Sequence, residues 1–173
     1  MAVLANAPIS VEEYLRTNYK PACDYIDGVL RQKPMPTRKH SQVQYKAALA
    51  INSRFPGFEA DPELTVRLSP YRWFVPDVAV QDVTRIQDPY PTEPVHLCVE
   101  VLSPEDRFAG MIAKCEEYLA WGVPTAWIVD PDSRRAWQLE RGQPPREVEP
   151  GGNLTAGPVS VPVASLWDNP PTA

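Results

Sequence analysis

Apolar residues recur at Val43, Ala47, Ile51 and Phe55, each four positions after the last. That is the spacing of one helix face, and it predicts a helix from about Thr37 to Phe55, stopped by Pro56-Gly57. A second helical stripe runs through Phe108, Ile112, Cys115 and Leu119. Ser103-Pro104-Glu105-Asp106 predicts its start, with serine as N-cap, proline in the first turn and acids beside it. Gly122 and Pro124 predict its end. A shorter helix is expected from Ser10, with Glu13 completing a capping box, to about Tyr19.

Strands alternate with period two. In VHLCVEVL, Val95, Leu97, Val99 and Val101 fall on one face, and His96, Cys98 and Glu100 on the other. CDYIDGVLRQ reads as strand–turn–strand about Asp27-Gly28, where Asp27 is a turn residue. TAWIVD and RRAWQLE read as a hairpin. Further strands are expected at about Leu64–Leu68 and Phe74–Val80, the second disturbed by Pro76 into an edge strand or bulge. A proline-rich connector follows, roughly from Asp82 to Pro94. From about residue 141 the chain is rich in Pro and Gly, predicting a weaker hairpin and a last helical turn near Leu166-Trp167. No internal repeat is visible. The expected fold is a single α/β or α+β domain over residues 1–173, a mixed central sheet flanked by helices.

A length of 173 residues suits one domain with a sizeable core. No apolar run approaches the roughly 20 residues of a membrane span. The first ten residues lack the basic and apolar regions of a signal peptide, so a cytoplasmic protein is expected. Cys23, Cys98 and Cys115 form no CxxC pair and read as small buried residues. With two histidines, any metal would be held mostly by oxygen.

The net charge of −5 hides an asymmetry. From Gly28 to Phe58 there are six bases (Arg31, Lys33, Arg38, Lys39, Lys46, Arg54) and no acid, whereas Glu59 to Asp106 holds ten acids and three bases. Such blocks fit phosphate contact beside a metal site, and equally a solvated helix face beside an acidic loop. Charge alone favours the second.

Asp77 and Glu100 are the informative carboxylates. If strands 74–80 and 96–102 pair antiparallel, both acids reach one end of the sheet, within about 5 Å of each other. Two carboxylates that close repel unless a cation lies between them. Hard oxygen ligands suit Mg²⁺ or Mn²⁺, and the Val101 carbonyl would add a third without electrostatic cost. An isolated pair would more simply face water at a sheet edge.

FVPDVAV, then VHLCVEVLSPEDR, then KCEEYLAWGVPTAWIVDP, resemble the Uma family of restriction-endonuclease-like proteins, within the PD-(D/E)XK nuclease superfamily. The resemblance extends from SVEEYL through DYIDGVL and the helix containing His40 to the final ASLW. It implies a restriction-endonuclease-like core with Asp77 and Glu100 as the catalytic, metal-holding acids. It also implies a lysine two residues after the second acid, but Leu102 stands there. Lys114, on the following helix, matches the position to which this family's lysine has moved. Arg107, Met111, Lys114 and Tyr118 share one helical stripe, so Lys114 can point back toward the acids, or outward as a solvated lysine.

Asp24 matches a position where relatives carry glutamate, a supporting metal or water ligand one methylene short. His40 matches a family histidine that contacts a phosphate or holds a ligand; a structural role at the helix end is equally open. Gly110 stands where many relatives carry an acid. The resemblance implies a Mg²⁺- or Mn²⁺-dependent endonuclease acting on nucleic acid, DNA in first place. Arg38, Lys39 and Lys46 would contact phosphates, and a homodimer is the usual means of cutting both strands. The alternative is a non-catalytic nucleic-acid- or protein-binding module on the same fold. The absent lysine, the acidic net charge and the aromatics Tyr71, Trp73 and Trp121, expected to be exposed, support it.

Overall fold

The computed structural model describes residues 2–3 and 8–167. In chain order the first strands are β1 (Ala2–Val3), β2 (Cys23–Ile26), β3 (Val29–Gln32), β4 (Phe58–Pro62), β5 (Val66–Ser69) and β6 (Arg72–Phe74). They are followed by β7 (Val78–Asp82), β8 (Leu97–Val101), β9 (Thr125–Asp130) and β10 (Arg135–Glu140). The last three are β11 (Arg146–Val148), β12 (Asn153–Ala156) and β13 (Val159–Pro162). The α-helices are α1 (Val11–Arg16), α2 (Arg38–Arg54) and α3 (Phe108–Trp121). One sheet has the order β1-β3-β2-β6-β5, a larger one β11-β10-β9-β8-β7-β4, and β12-β13 form a separate hairpin. In the larger sheet β8 and β9 are parallel and the other pairs antiparallel. The parallel pair needs a long crossover, and α3 supplies it.

Period-two alternation gives the larger sheet two apolar faces. Val78, Val80, Leu97, Val99, Val101, Trp127 and Val129 pack with Val43, Ala47 and Ile51 of α2. Ala79, Cys98, Ala126 and Ile128 pack with Met111, Cys115, Tyr118 and Leu119 of α3. All three cysteines are buried and unpaired. The α+β architecture with a mixed, helix-flanked sheet is the expected one. So is the β2–β3 hairpin, where Asp27 and Gly28 both have positive φ (50° and 88°). Ser10 caps α1 by accepting from the Glu13 amide at 3.1 Å, but the helix stops at Arg16 rather than Tyr19.

The fold departs from the expected elements at several points. The single strand at 74–80 is two: β6 ends at Phe74 in the smaller sheet, and β7 starts at Val78 in the larger. Pro76 has no N–H for a ladder, so the chain changes sheets there, and Asp77 sits at the crossing. The helix expected from Ser103 begins instead at Phe108, without a side-chain cap. The Asp106 carboxylate accepts from the Ser103 amide (3.0 Å) while the Asp106 amide donates to the Ser103 carbonyl (2.9 Å). That closed turn competes with helix formation. Strand β4 was not expected, since Glu59, Asp61 and Pro62 disfavour strands; pairing with β7 holds it. Trp73 is 6% exposed, not a surface aromatic, and Trp121 is half-buried, while Tyr71 is 63% exposed.

Candidate functional site

The site lies where the larger sheet meets the smaller. Val78 pairs with Val99 and Ala79 with Cys98. One step further along this antiparallel register sets Asp77 opposite Glu100. Facing residues in such a pair project to the same side, so both acids stand at one end of the sheet. Each is 1% exposed.

Asp77 is held by four groups. The Val101 amide donates to Oδ2 at 2.6 Å, and His40 Nε2 lies 3.3 Å from the same oxygen. The Lys33 ammonium donates to Oδ1. The Gln44 amide donates to the Asp77 carbonyl at 2.8 Å. His40 and Gln44 stand one turn apart on α2, whose start Thr37 caps by accepting from the His40 amide at 3.2 Å.

Glu100 is held from α3. Lys114 Nζ lies 3.0 Å from its Oε1, and the Tyr118 hydroxyl donates to the same oxygen at 2.6 Å. Lys114 thus points inward, one turn from Met111 and one from Tyr118. Its ammonium is also 3.0 Å from Asp24 Oδ2 and 3.5 Å from the Val75 carbonyl. Asp24 comes from β2 of the smaller sheet, and its Oδ1 accepts from the Val75 amide at 2.8 Å. Among the described residues, two buried side-chain polar atoms have no hydrogen bond: Asp24 Oδ2, ion-paired but misaligned, and His40 Nδ1.

Burial raises the Asp77 pKa, but the Lys33 charge and His40 more than offset it, leaving Asp77 well below the usual carboxylate range. Burial pushes Glu100 up, opposed by Lys114 and reinforced by Asp77. Burial alone would lower Lys114; Asp24, Glu100 and Asp77 reverse this and raise it. Lys33 is likewise raised, Asp77 outweighing its burial. The cluster therefore holds charged lysines against one firmly ionised acid and one that ionises reluctantly.

A cleft of about 310 Å³ opens onto these groups. Asp77, Glu100, Val101, Lys114, Lys33 and His40 all contribute to its lining, with Lys20 and Met35 among the residues nearer the loops. Two of the other bases are engaged away from it. Lys39 pairs with Asp132 at 2.6 Å in an exposed groove, and Lys46 donates to the Trp167 carbonyl. Arg38 is exposed at the first position of α2. Arg38, Lys39 and Lys46 are not among the residues that line the cleft.

Two contacts escaped sequence reasoning. Lys33 looked like one of six solvated bases, and only the packing of the smaller sheet against Asp77 turns it inward. Tyr118 shares the Lys114 stripe, and that spacing is the signal that identifies it as a second partner of Glu100. Among the described residues no three His, Cys, Asp or Glu side chains form a ready metal cluster. The donor chemistry nonetheless fits a hard cation: Asp77 and Glu100 face each other, and both contacts described for Glu100 fall on Oε1, leaving Oε2 uncommitted.

A crystal structure titled as a putative nuclease belonging to DUF820, from Anabaena variabilis, superposes with a TM-score of 0.80 at 26% identity. The match covers 92% of this chain and 97% of that one. No curated protein matches the chain. No helix among the described residues is long and apolar enough to cross a membrane. The family model described as "Uma2: Putative restriction endonuclease" matches residues 11–166, and the chain belongs to that family, with a nuclease-like fold.

Proposed function

We propose that the chain is a metal-dependent endonuclease that hydrolyses phosphodiester bonds of nucleic acid, DNA in first place. One observation carries this reading: Asp77 and Glu100 face each other in register on a cleft, with the Lys114 ammonium 3.0 Å from Glu100. The facing acids, the buried lysine and the likeness to a nuclease fold support assignment to the PD-(D/E)XK type. Asp77, Glu100 and the Val101 carbonyl would hold Mg²⁺ or Mn²⁺, as hard oxygen donors do. Bound there, the ion supplies Lewis acidity and a water more acidic than bulk.

The protein's own groups do the rest. Lys114 orients the attacking water or meets the charge that develops on the phosphate. Asp24 fixes Lys114 from the opposite side, 3.0 Å away. His40 steadies Asp77 through Nε2, while its buried Nδ1 has no hydrogen-bond partner within the protein. Lys20 in the cleft, with Arg38, Lys39 and Lys46 on α2, would meet flanking phosphates. Two copies would cut both strands of a duplex.

A panel of single- and double-stranded DNA and RNA, incubated with Mn²⁺, tests this. Cleavage that Glu100→Ala abolishes is the expected result. Mn²⁺ should also raise the melting temperature, and Asp77→Asn should remove that rise. A protein that cuts nothing and gains no stability from Mn²⁺ is not this enzyme. The alternative is a non-catalytic binding module, favoured by the Lys33 ion pair on Asp77. It requires retention of nucleic acid without cleavage.

A further inference from the structure

Asp77 carries more partners than a metal ligand needs. Its Oδ2 is taken by the Val101 amide and His40, and its Oδ1 by the Lys33 ammonium, which also donates to the Val75 carbonyl at 3.1 Å. The Val101 amide and His40 orient the carboxylate without filling a cation's place. The ammonium does fill it: it puts a positive charge on the oxygen that faces away from Val101.

The two lysines of the cluster differ in anchorage. Lys114 ends the second turn of a helix, its side chain 5% exposed, tied to both Asp24 and Glu100. Lys33 lies just past the end of β3, followed by Pro34-Met35-Pro36 along the cleft, and its side chain is 10% exposed. Lys33 has one acid partner and Lys114 has two. In formal charge, Asp24, Asp77 and Glu100 bring three negatives against two ammoniums, a net −1 (−3 + 2). Without Lys33 the count is −2 (−3 + 1), the complement of a divalent ion.

We propose that Lys33 is a tethered cation that occupies Asp77 in competition with a divalent metal, and so sets how tightly this site binds metal. Displaced into the cleft, its ammonium faces the space where a substrate phosphate would lie. The proposal rests on the metal-site reading above, and adds a residue outside the family's acids and lysine.

The test is Mn²⁺ binding, followed by the paramagnetic resonance signal of the free ion and needing no substrate. Wild type is compared with Lys33→Met, Lys33→Gln and Lys33→Arg, and with Asp77→Asn added to Lys33→Met. The neutral variants should bind Mn²⁺ at least about tenfold more tightly, because unit charges at ion-pair distance in a buried site interact by several times thermal energy. Lys33→Arg should stay near wild type, and Asp77→Asn should cancel the gain. Having two neutral variants guards against one misfolding, which a melting curve would reveal. Wild type that binds Mn²⁺, with neutral variants binding equally or less well, overturns the role of Lys33 and leaves the metal reading standing. Absence of Mn²⁺ binding in every protein overturns both.

Discussion

The two faces of the larger sheet are cut from the same strands by the same alternation, yet they bury different things. Toward α2 the sheet offers Val78, Val80, Leu97, Val99 and Val101, and the helix answers with Val43, Ala47 and Ile51. Toward α3 the apolar pattern holds through Ala79 and Cys98, then gives way at one end to Asp77 and Glu100. There Lys114 and Tyr118 interrupt the apolar surface of α3, and the smaller sheet adds Asp24. The α2 face is a packing surface whose stability comes from burial. The α3 face includes a buried ionic cluster, which an apolar replacement of equal volume would often match or exceed in stability. Such a cluster contributes chemistry rather than cohesion.

The largest expected effect comes from unbalancing that cluster. Lys114→Met leaves Asp24 and Glu100 without their common cation and should lower stability by about 3–5 kcal/mol, as for other broken buried ion pairs. Urea midpoints measure it. Tyr118→Phe removes a single hydrogen bond to Glu100 and should cost about 1.5–3 kcal/mol, the range for bonds to charged groups. A loss at Tyr118 larger than at Lys114 would reverse the view that charge balance dominates this face.

Acid sharpens the contrast further. Asp77 ionises more readily in the fold than its ordinary value of 3.8, so its ionised form stabilises the fold above that pH. The contribution is lost as pH falls below it, through the depressed folded value. Glu100, raised above 4.5, acts oppositely: ionising it costs the fold stability above that value, which reduces the net effect. Wild type should therefore lose more stability than Asp77→Asn between about pH 5 and about pH 2. Parallel pH curves would mean that Lys33 and His40 do not hold Asp77. The smallest change is expected on the other face. Ile51→Val, fully buried beneath α2, should cost about 0.5–1.5 kcal/mol and leave the pH curve unmoved.

Much of this was legible in the sequence, and what was not has a common cause. The spacing of Val43, Ala47 and Ile51 revealed α2 almost to the residue, and alternation in LCVEV put Glu100 on the face opposite Val99. Both are local periodicities. The splitting of the 74–80 strand was half-visible in Pro76, but which sheet each half joins depends on partners far along the chain. Lys33 was indistinguishable from its basic neighbours, because its environment is made by Asp77, 44 positions away. Ser103 misled because Asp106 can satisfy the Ser103 amide with its side chain, a choice between two local hydrogen-bond schemes that composition does not rank.

The crossing between the sheets has a consequence in time as well as in space. The Val75 amide proton is given to Asp24 and the Val101 amide proton to Asp77, both inside the buried cluster. Neither can exchange with solvent while its carboxylate is in place. These two backbone protons are clocks for the site: their exchange rates measure the parting of the buried cluster. Comparing them with amides of β9, deep in the larger sheet, would tell whether that parting is a local event or the unfolding of the whole chain.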